Sequence, residues 1–211
     1  DTLGGYDPYS ASKACVEIVH SSYRNSFFKN KGIYSATVRA GNVIGGGDWS
    51  EDRLIPDTFK AANEGKSVPI RNPTSVRPWQ HVLDPISAYL LVGKELLQKN
   101  EIADTSWNIG PSQEDCLSVK DVLTKVQGLW DAVSWQDISS EAKVHEANLL
   151  KLDCSKATSL LKWKPIWTID TAIKHTTEWY KMYYINKTVL TISQIESFFQ
   201  DAEKMNSIIC E

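Results

Sequence analysis

The sequence has no dense run of lysine and arginine, no cysteines at C-x-x-C spacing, and no apolar stretch near the roughly 20 residues of a membrane-spanning helix. Each absence excludes a class. With 23 Lys and Arg against 26 Asp and Glu the formal net charge is -3, so nothing draws the chain to nucleic acid or to an anionic membrane, and neither is expected as a partner. The four cysteines, Cys15, Cys116, Cys154 and Cys210, stand far apart. That spacing predicts no metal site and no redox pair, but reduced, buried thiols in a cytoplasmic protein. Missing too is the opening of a dinucleotide-binding domain, in which a strand runs into G-x-G-x-x-G and an acidic ribose ligand follows. Gly45-Gly46-Gly47 follows a strand-like run but lacks that spacing. The chain starts at Asp1, and Thr2 to Pro8 reads as a loop already under way, which predicts a piece of a longer protein.

What is present is an ordinary globular composition, 42% hydrophobic over 211 residues, enough for one sizeable core or a domain with a subdomain. Asp7-Pro8 predicts a helix start, with Ala14, Cys15, Ile18, Val19 and Tyr23 at helical spacing and Lys31-Gly32 as the stop. Residues 33–44 read as one buried strand, and 53–64 as a helix closed by Gly65. Extended pieces follow at 67–71 and 77–82. Asp84-Pro85 then caps a helix whose core stripe is read as Ile86, Tyr89, Leu90, Leu96 and Leu97. A brief strand at 106–109, a helix from Ser118, extended pieces near 132–135 and 148–152, and helices at 155–162 and 168–185 complete the body. The tail carries S-x-x-E, Ser193 with Glu196, read as a capping box ahead of an apolar face of Ile195, Phe198 and Phe199 that folds back on the body or on a partner. Helix, glycine turn and buried strand together predict an α/β protein with parallel pairing.

One local pattern carries chemistry. Tyr9 precedes Lys13 by four residues, which puts both on one helix face. An ammonium beside a phenol favours the phenolate, so such a pair can serve as a base near neutrality. Ser10, Ala11, Ser12 and Ala14 around it are small enough for a flat cofactor to lie close. The alternative is an exposed Tyr/Lys pair with no chemistry. His20 and His175 sit in helices without a second ligand at metal spacing and read as fillers. His81 reads as structural rather than as a general base.

Taken with Val38-Arg39-Ala40-Gly41-Asn42-Val43-Ile44-Gly45, Arg77-Pro78-Trp79-Gln80-His81-Val82, Trp107-Asn108-Ile109-Gly110 and Leu160 to Pro165, the Tyr9/Lys13 motif resembles the extended short-chain dehydrogenase/reductases that act on nucleotide sugars. Gly4 to Ala14, Gly41 to Trp49 and Arg77 to His81 are similar to the branch that dehydrates CDP-sugars. The likeness runs over nearly all of residues 1–186. It implies the C-terminal part of an α/β fold: the end of a Rossmann-type parallel sheet at 1–45, a smaller α/β nucleotide-sugar-binding part over most of 46–186, and a helical tail at 187–211.

The same resemblance implies NAD as cofactor and a CDP-sugar as substrate. It implies C4 oxidation by hydride transfer to NAD, loss of water across C5 and C6, and hydride return to C6. Tyr9 would take the 4-hydroxyl proton, Lys13 would support it and hold the nicotinamide ribose, and Val43 would approach the nicotinamide through its backbone. Asn42 would touch the sugar-phosphate, and Arg77 would grip the diphosphate, for which a planar fork of donors is suited. Arg53 and Leu54 would open the helix that faces the nucleotide, and Pro69, Ile70 and Arg71 would line base and ribose. Gln113, His145 and Glu146 are further substrate contacts on the same basis. Trp49 and Trp79 are candidates for the border of the sugar pocket. No residue here is assigned as acid or base of the elimination. The intact protein is expected to be a homodimer or higher homo-oligomer that pairs through the Y-x-x-x-K helix. The piece alone is expected to be inactive. An epimerase or dehydratase of a TDP-, UDP- or GDP-sugar, or a noncatalytic sugar-nucleotide-binding domain, remains open on sequence.

Overall fold

Asp7 opens the first helix as its chemistry predicts. Its Oδ1 accepts from the N–H groups of Tyr9 (2.9 Å) and Ser10 (3.0 Å), while Ser10 Oγ accepts from the Asp7 N–H (3.3 Å). With Pro8 at the first helical position, this box starts α1, Pro8–Tyr23. These features come from a computed structural model that describes residues 3–5, 7–141 and 149–210. Beyond α1 the chain stays helical through a π turn, Arg24–Phe28, and a 3-10 turn, Lys29–Lys31. It stops at Gly32, whose φ of 64° suits a residue without Cβ.

The extended run after it is two strands rather than one. β1 (Thr37–Ala40) pairs in parallel with β5 (Ser106–Ile109), whereas β2 (Asn42–Ile44) pairs in parallel with β4 (Val76–His81). The break is Gly41, whose N–H donates to the Ile109 carbonyl at 3.2 Å and whose missing side chain leaves room for the Pro78 carbonyl. β6 (Cys116–Ser118) adds antiparallel to β4, which gives a two-stranded sheet of β1 and β5 and a three-stranded sheet in the order β2, β4, β6. β3 (Ser67–Ile70) and β7 (Ser134–Asp137) form a separate parallel pair.

The helices α2 (Leu54–Asn63), α4 (Val119–Leu129) and α6 (Ile169–Asn186) close the largest core around Ile44, Phe59, Trp79, Val126, Trp130 and Tyr180. A second core gathers Trp107, Ile109 and Trp163 beneath α3 (Leu83–Leu97) and α5 (Ser155–Leu160). Burying one such side chain stabilises by about 1.5–3 kcal/mol. The indole N–H groups there are satisfied: Trp79 donates to the Leu117 carbonyl (2.9 Å), Trp107 to the Ala103 carbonyl (3.1 Å) and Trp163 to Ser87 Oγ (3.0 Å). α7 (Thr191–Lys204) folds back on the body, burying Phe198 and Ala202 against Ile166 and Trp167, while Phe199, expected on the same face, is exposed.

Several expectations are corrected. On α1 only Ala14 is buried, and Cys15, Ile18, Val19 and Tyr23 are exposed. On α3 the buried side is Asp84, Ser87, Ala88, Leu91 and Val92, while Leu90 and Leu97 are 69% and 87% exposed. The four cysteines are free thiols, none of them buried. Ser193 does not cap α7: the helix has already begun at Thr191, and Ser193 Oγ donates to the Leu190 carbonyl inside the first turn. No helix of the described residues is long and apolar enough to cross a membrane.

Candidate active site

Glu17 fixes where the Tyr9/Lys13 pair points. Its Oε2 accepts from Thr37 Oγ1 (2.8 Å) and Ser106 Oγ (2.9 Å) at the starts of β1 and β5, and Arg39 Nε lies 3.6 Å from its Oε1. His20 meets Ser35 Oγ at 3.0 Å, so α1 runs antiparallel to β1. Eight residues of helix, about 12 Å, carry the chain back from Glu17 to Tyr9, and about 3.3 Å per strand residue carries Thr37 forward to the neighbourhood of Gly41. Tyr9 therefore stands level with the carboxyl end of the sheet, where open α/β sheets bind ligands. Its ring is 71% exposed, and the Lys13 ammonium lies over it, 5.3 Å from the centroid.

The same end presents Asn42 and Val43. Asn42 is half-buried opposite Trp79, and Val43 is 42% exposed although its neighbour Ile44 is in the core. Lys13, like Tyr9 and Val43, is exposed. From Ile44 the chain passes through Gly45-Gly46-Gly47 to α2. Arg53 is the N-cap of α2, extended and without a side-chain cap bond.

A cleft of about 620 Å³ opens beside α2 and β3. Leu54, Pro69, Ile70 and Arg71 line it, which brings together four of the predicted substrate residues. The sequence reading missed its polar wall, Asp57, Lys60, Lys66 and Asn72. The signal was available: Lys60 and Asp57 are one turn apart on a helix whose other side is apolar. Burial raises the Asp57 carboxyl above its ordinary range, and the nearby Asp52 charge adds to the rise. Glu64 is lowered by its hydrogen bond to Lys66, 2.7 Å.

Arg77 and Gln113 lie elsewhere, outside the cleft. Arg77 is half-buried on β4 opposite Leu117 of β6, and its Nη1 donates to the Val76 carbonyl at 3.0 Å. Gln113 is exposed in a short turn just before β6, which places it at the same corner of the fold. His145 and Glu146 lie outside the described residues; Leu149 bridges to Val76, next to Arg77. Trp79 belongs to the core, and Trp49 is half-exposed against α6.

His81 is structural, as read. It is buried, its Nδ1 accepts from the Leu83 N–H (3.3 Å), and it sits edge-on to Trp167, 4.7 Å between centroids. Burial, aided by His175, pushes its imidazole down to about 3, which keeps it neutral. His175 in turn stacks on Trp167 at 4.1 Å. Among the described residues no group of three His, Cys, Asp or Glu is placed to hold a metal.

The profile of the NAD dependent epimerase/dehydratase family matches residues 3–110, more than half of the chain. The chain belongs to that family. The matched span holds Tyr9, Lys13, Asn42, Val43, the α2 start, the β3 wall of the cleft and Arg77; Gln113 lies just beyond it. The CDP-glucose 4,6-dehydratase of Salmonella typhimurium is 45% identical over 202 residues, 93% of this chain and 56% of the relative. The dTDP-glucose 4,6-dehydratase of the same organism is 28% identical over 182 residues, 82% of this chain and 47% of the relative. The chain spans about half the length of the curated relatives it matches. A crystal structure of dTDP-glucose 4,6-dehydratase from Bacillus anthracis str. Ames in complex with NAD has a TM-score of 0.67 at 22% identity, covering 85% of this chain and 54% of that one. That likeness agrees with the α/β architecture expected from sequence.

Proposed function

We propose that this chain carries the base and the nucleotide-sugar-binding part of an NAD-dependent dehydratase that converts CDP-glucose to CDP-4-keto-6-deoxyglucose. The observation that carries the reading is 45% identity to a CDP-glucose 4,6-dehydratase over 93% of the chain, in which the Lys13 ammonium lies over the Tyr9 ring. Residues 1–45 supply the end of the cofactor sheet with Tyr9 and Lys13, most of 46–186 the sugar-nucleotide part, and 187–211 a helical tail.

NAD, which Tyr9, Lys13 and Val43 would hold, would supply the hydride acceptor for C4 oxidation and the hydride donor for C6. The protein's task is to move protons and hold the substrate. Tyr9 takes the proton of the 4-hydroxyl as the ketone forms, with the Lys13 ammonium over its ring. Once C4 is a carbonyl the C5 proton is acidic, and water leaves across C5 and C6. Asn42 holds the sugar-phosphate, the α2 start and Arg77 oppose the diphosphate charge, and Pro69, Ile70 and Arg71 receive base and ribose with Leu54. Gln113, His145 and Glu146 complete the substrate set.

The apolar side chains exposed along α1, among them Val16, Ile18, Val19 and Tyr23, support a homodimer or higher homo-oligomer in the intact protein. The net charge and the free thiols support a cytoplasmic setting.

The test is to incubate the full-length protein containing this chain with NAD and CDP-glucose and to follow loss of one water by mass spectrometry. The expected result is a 4-keto-6-deoxy product without net NADH. Tyr9→Phe is expected to slow turnover by a factor of about 10²–10⁴, the usual value of a positioned acid or base. Unchanged turnover in that variant overturns the assignment. Equal use of CDP-, TDP-, UDP- and GDP-glucose overturns the choice of nucleotide.

A further inference from the structure

The triple glycine after β2 is not a dinucleotide turn, and the structure gives it another use. Gly46 lies flat against the Trp179 indole: a Cβ there would sit inside the ring atoms Cγ, Cδ1 and Cδ2. Gly47 then turns with φ of 83°. The next carbonyl, that of Asp48, accepts from Tyr180 Oη at 2.6 Å. Trp49 follows and lies among four rings of α6: Tyr183 at 5.0 Å, Tyr180 at 5.6 Å, and Trp179 and Tyr184 at 6.0 Å between centroids. Trp179 is itself tied down, since its indole N–H donates to Thr191 Oγ1 (3.0 Å) at the start of α7. Three of the four residues from 46 to 49, Gly46, Asp48 and Trp49, are therefore gripped by one face of α6, in three different ways: flat packing, a hydrogen bond and ring contacts.

The gripped segment joins the two ends of the proposed sugar-phosphate site. Asn42 and Val43 stand before it on β2, and Arg53 and Leu54 stand after it at the α2 start. A glycine-rich loop left to itself samples many conformations, and each places the α2 N-terminus differently relative to Asn42. We infer that the α6 aromatic face is a clamp, with Trp49 and Tyr180 as positioning residues that set the spacing between Asn42 and the α2 start and so govern sugar-nucleotide affinity. The inference rests on the functional reading above. Trp49 is 51% exposed, so its role in the clamp is not simply core packing.

Steady-state kinetics and calorimetry with CDP-glucose on the full-length protein test it, with urea midpoints measured alongside. Trp49→Ala is expected to raise KM and Kd about tenfold and to leave kcat within about twofold, since uniform binding rather than transition-state stabilisation is lost. Trp49→Phe, which keeps a ring in the cluster, is expected to recover most of that loss. Tyr180→Phe keeps its ring but releases the Asp48 carbonyl, and is expected to raise KM by a smaller factor. If the variants lose turnover only in proportion to their unfolded fraction, with KM and Kd unchanged, the clamp is overturned while the functional reading stands. If wild-type protein neither binds nor converts CDP-glucose, the functional reading falls and takes the clamp with it.

Discussion

Asp84 is the most unusual carboxyl in the described structure and gives the sharpest quantitative test. It lies in the first turn of α3, fully buried, with Oδ1 accepting from the Ile166 N–H at 2.6 Å and Oδ2 without a partner. Burial pushes the carboxyl from 3.8 up to about 7, the backbone donors Ile166 and Trp167 oppose this, and Asp115 adds a little to the rise. An unfolded chain releases this proton near pH 4. Between about pH 4 and 7 the folded protein holds a proton that the unfolded chain has lost, so stability falls as pH rises through that window and levels off above it. Three pH units at about 1.4 kcal/mol each give about 4 kcal/mol as the upper size of the effect.

Asp84→Asn keeps the Oδ1 acceptor and removes the titration. It should match wild type near pH 4, exceed it progressively up to about pH 7 and keep a constant excess above that. His81, three residues away, has the opposite sign. Its imidazole is pushed down to about 3, so its contribution is complete above about 6.5 and is lost as pH falls from there. In wild type the two slopes oppose each other between about pH 4 and 6.5. In Asp84→Asn the His81 slope stands uncovered, about 1.4 kcal/mol per pH unit. Urea unfolding at half-unit steps from pH 4 to 8 measures both profiles, and the difference between them isolates Asp84 from every other group. A difference that stays constant across the range refutes the reasoning.

Glu17→Ala should cost about 2–3 kcal/mol by denaturant titration, because two hydroxyls lose an ionised acceptor whose side chain is only 10% exposed. Arg77→Lys should weaken CDP binding about tenfold in calorimetry, as a point charge replaces a two-pronged donor. Phe198→Ala, at a 2% exposed site holding α7 to Trp167, should lower stability by about 3–5 kcal/mol in thermal or urea unfolding.

The helix starts at Asp7, Ser118 and Thr168 and the Tyr9/Lys13 face were legible in the sequence because they depend on neighbours within a few residues, whereas Asp84 and Ser193, read as caps, lie inside helices that begin at Leu83 and Thr191. Asp7, Pro8 and Ser10 supply a cap that needs no distant partner. Which side of a helix is buried was not legible where the helix is apolar all round. On α3, Ile86 and Leu90 make as good a stripe as Ala88, Leu91 and Val92, and only the position of Trp107 and Trp163 decides between them. The split at Gly41 was hidden for the same reason, since it is set by carbonyls of residues 78 and 109. Within the site, Leu54, Pro69, Ile70 and Arg71 come together in one cleft, whereas Arg77 lies apart from them.

The hydrogen bond from Tyr180 to Asp48 joins residues 132 positions apart. A ribosome making this chain delivers Tyr9, Asn42 and Arg53 long before the helix that orders the segment between them. Until α6 emerges and packs, the glycine segment lacks the rings and the hydrogen bond that grip it, so the spacing between β2 and the α2 start is geometrically undefined. Closing so long a loop is slow compared with forming α1 or α2. Substrate affinity should therefore appear late in refolding, after helical signal has recovered, and in step with burial of the α6 tryptophan.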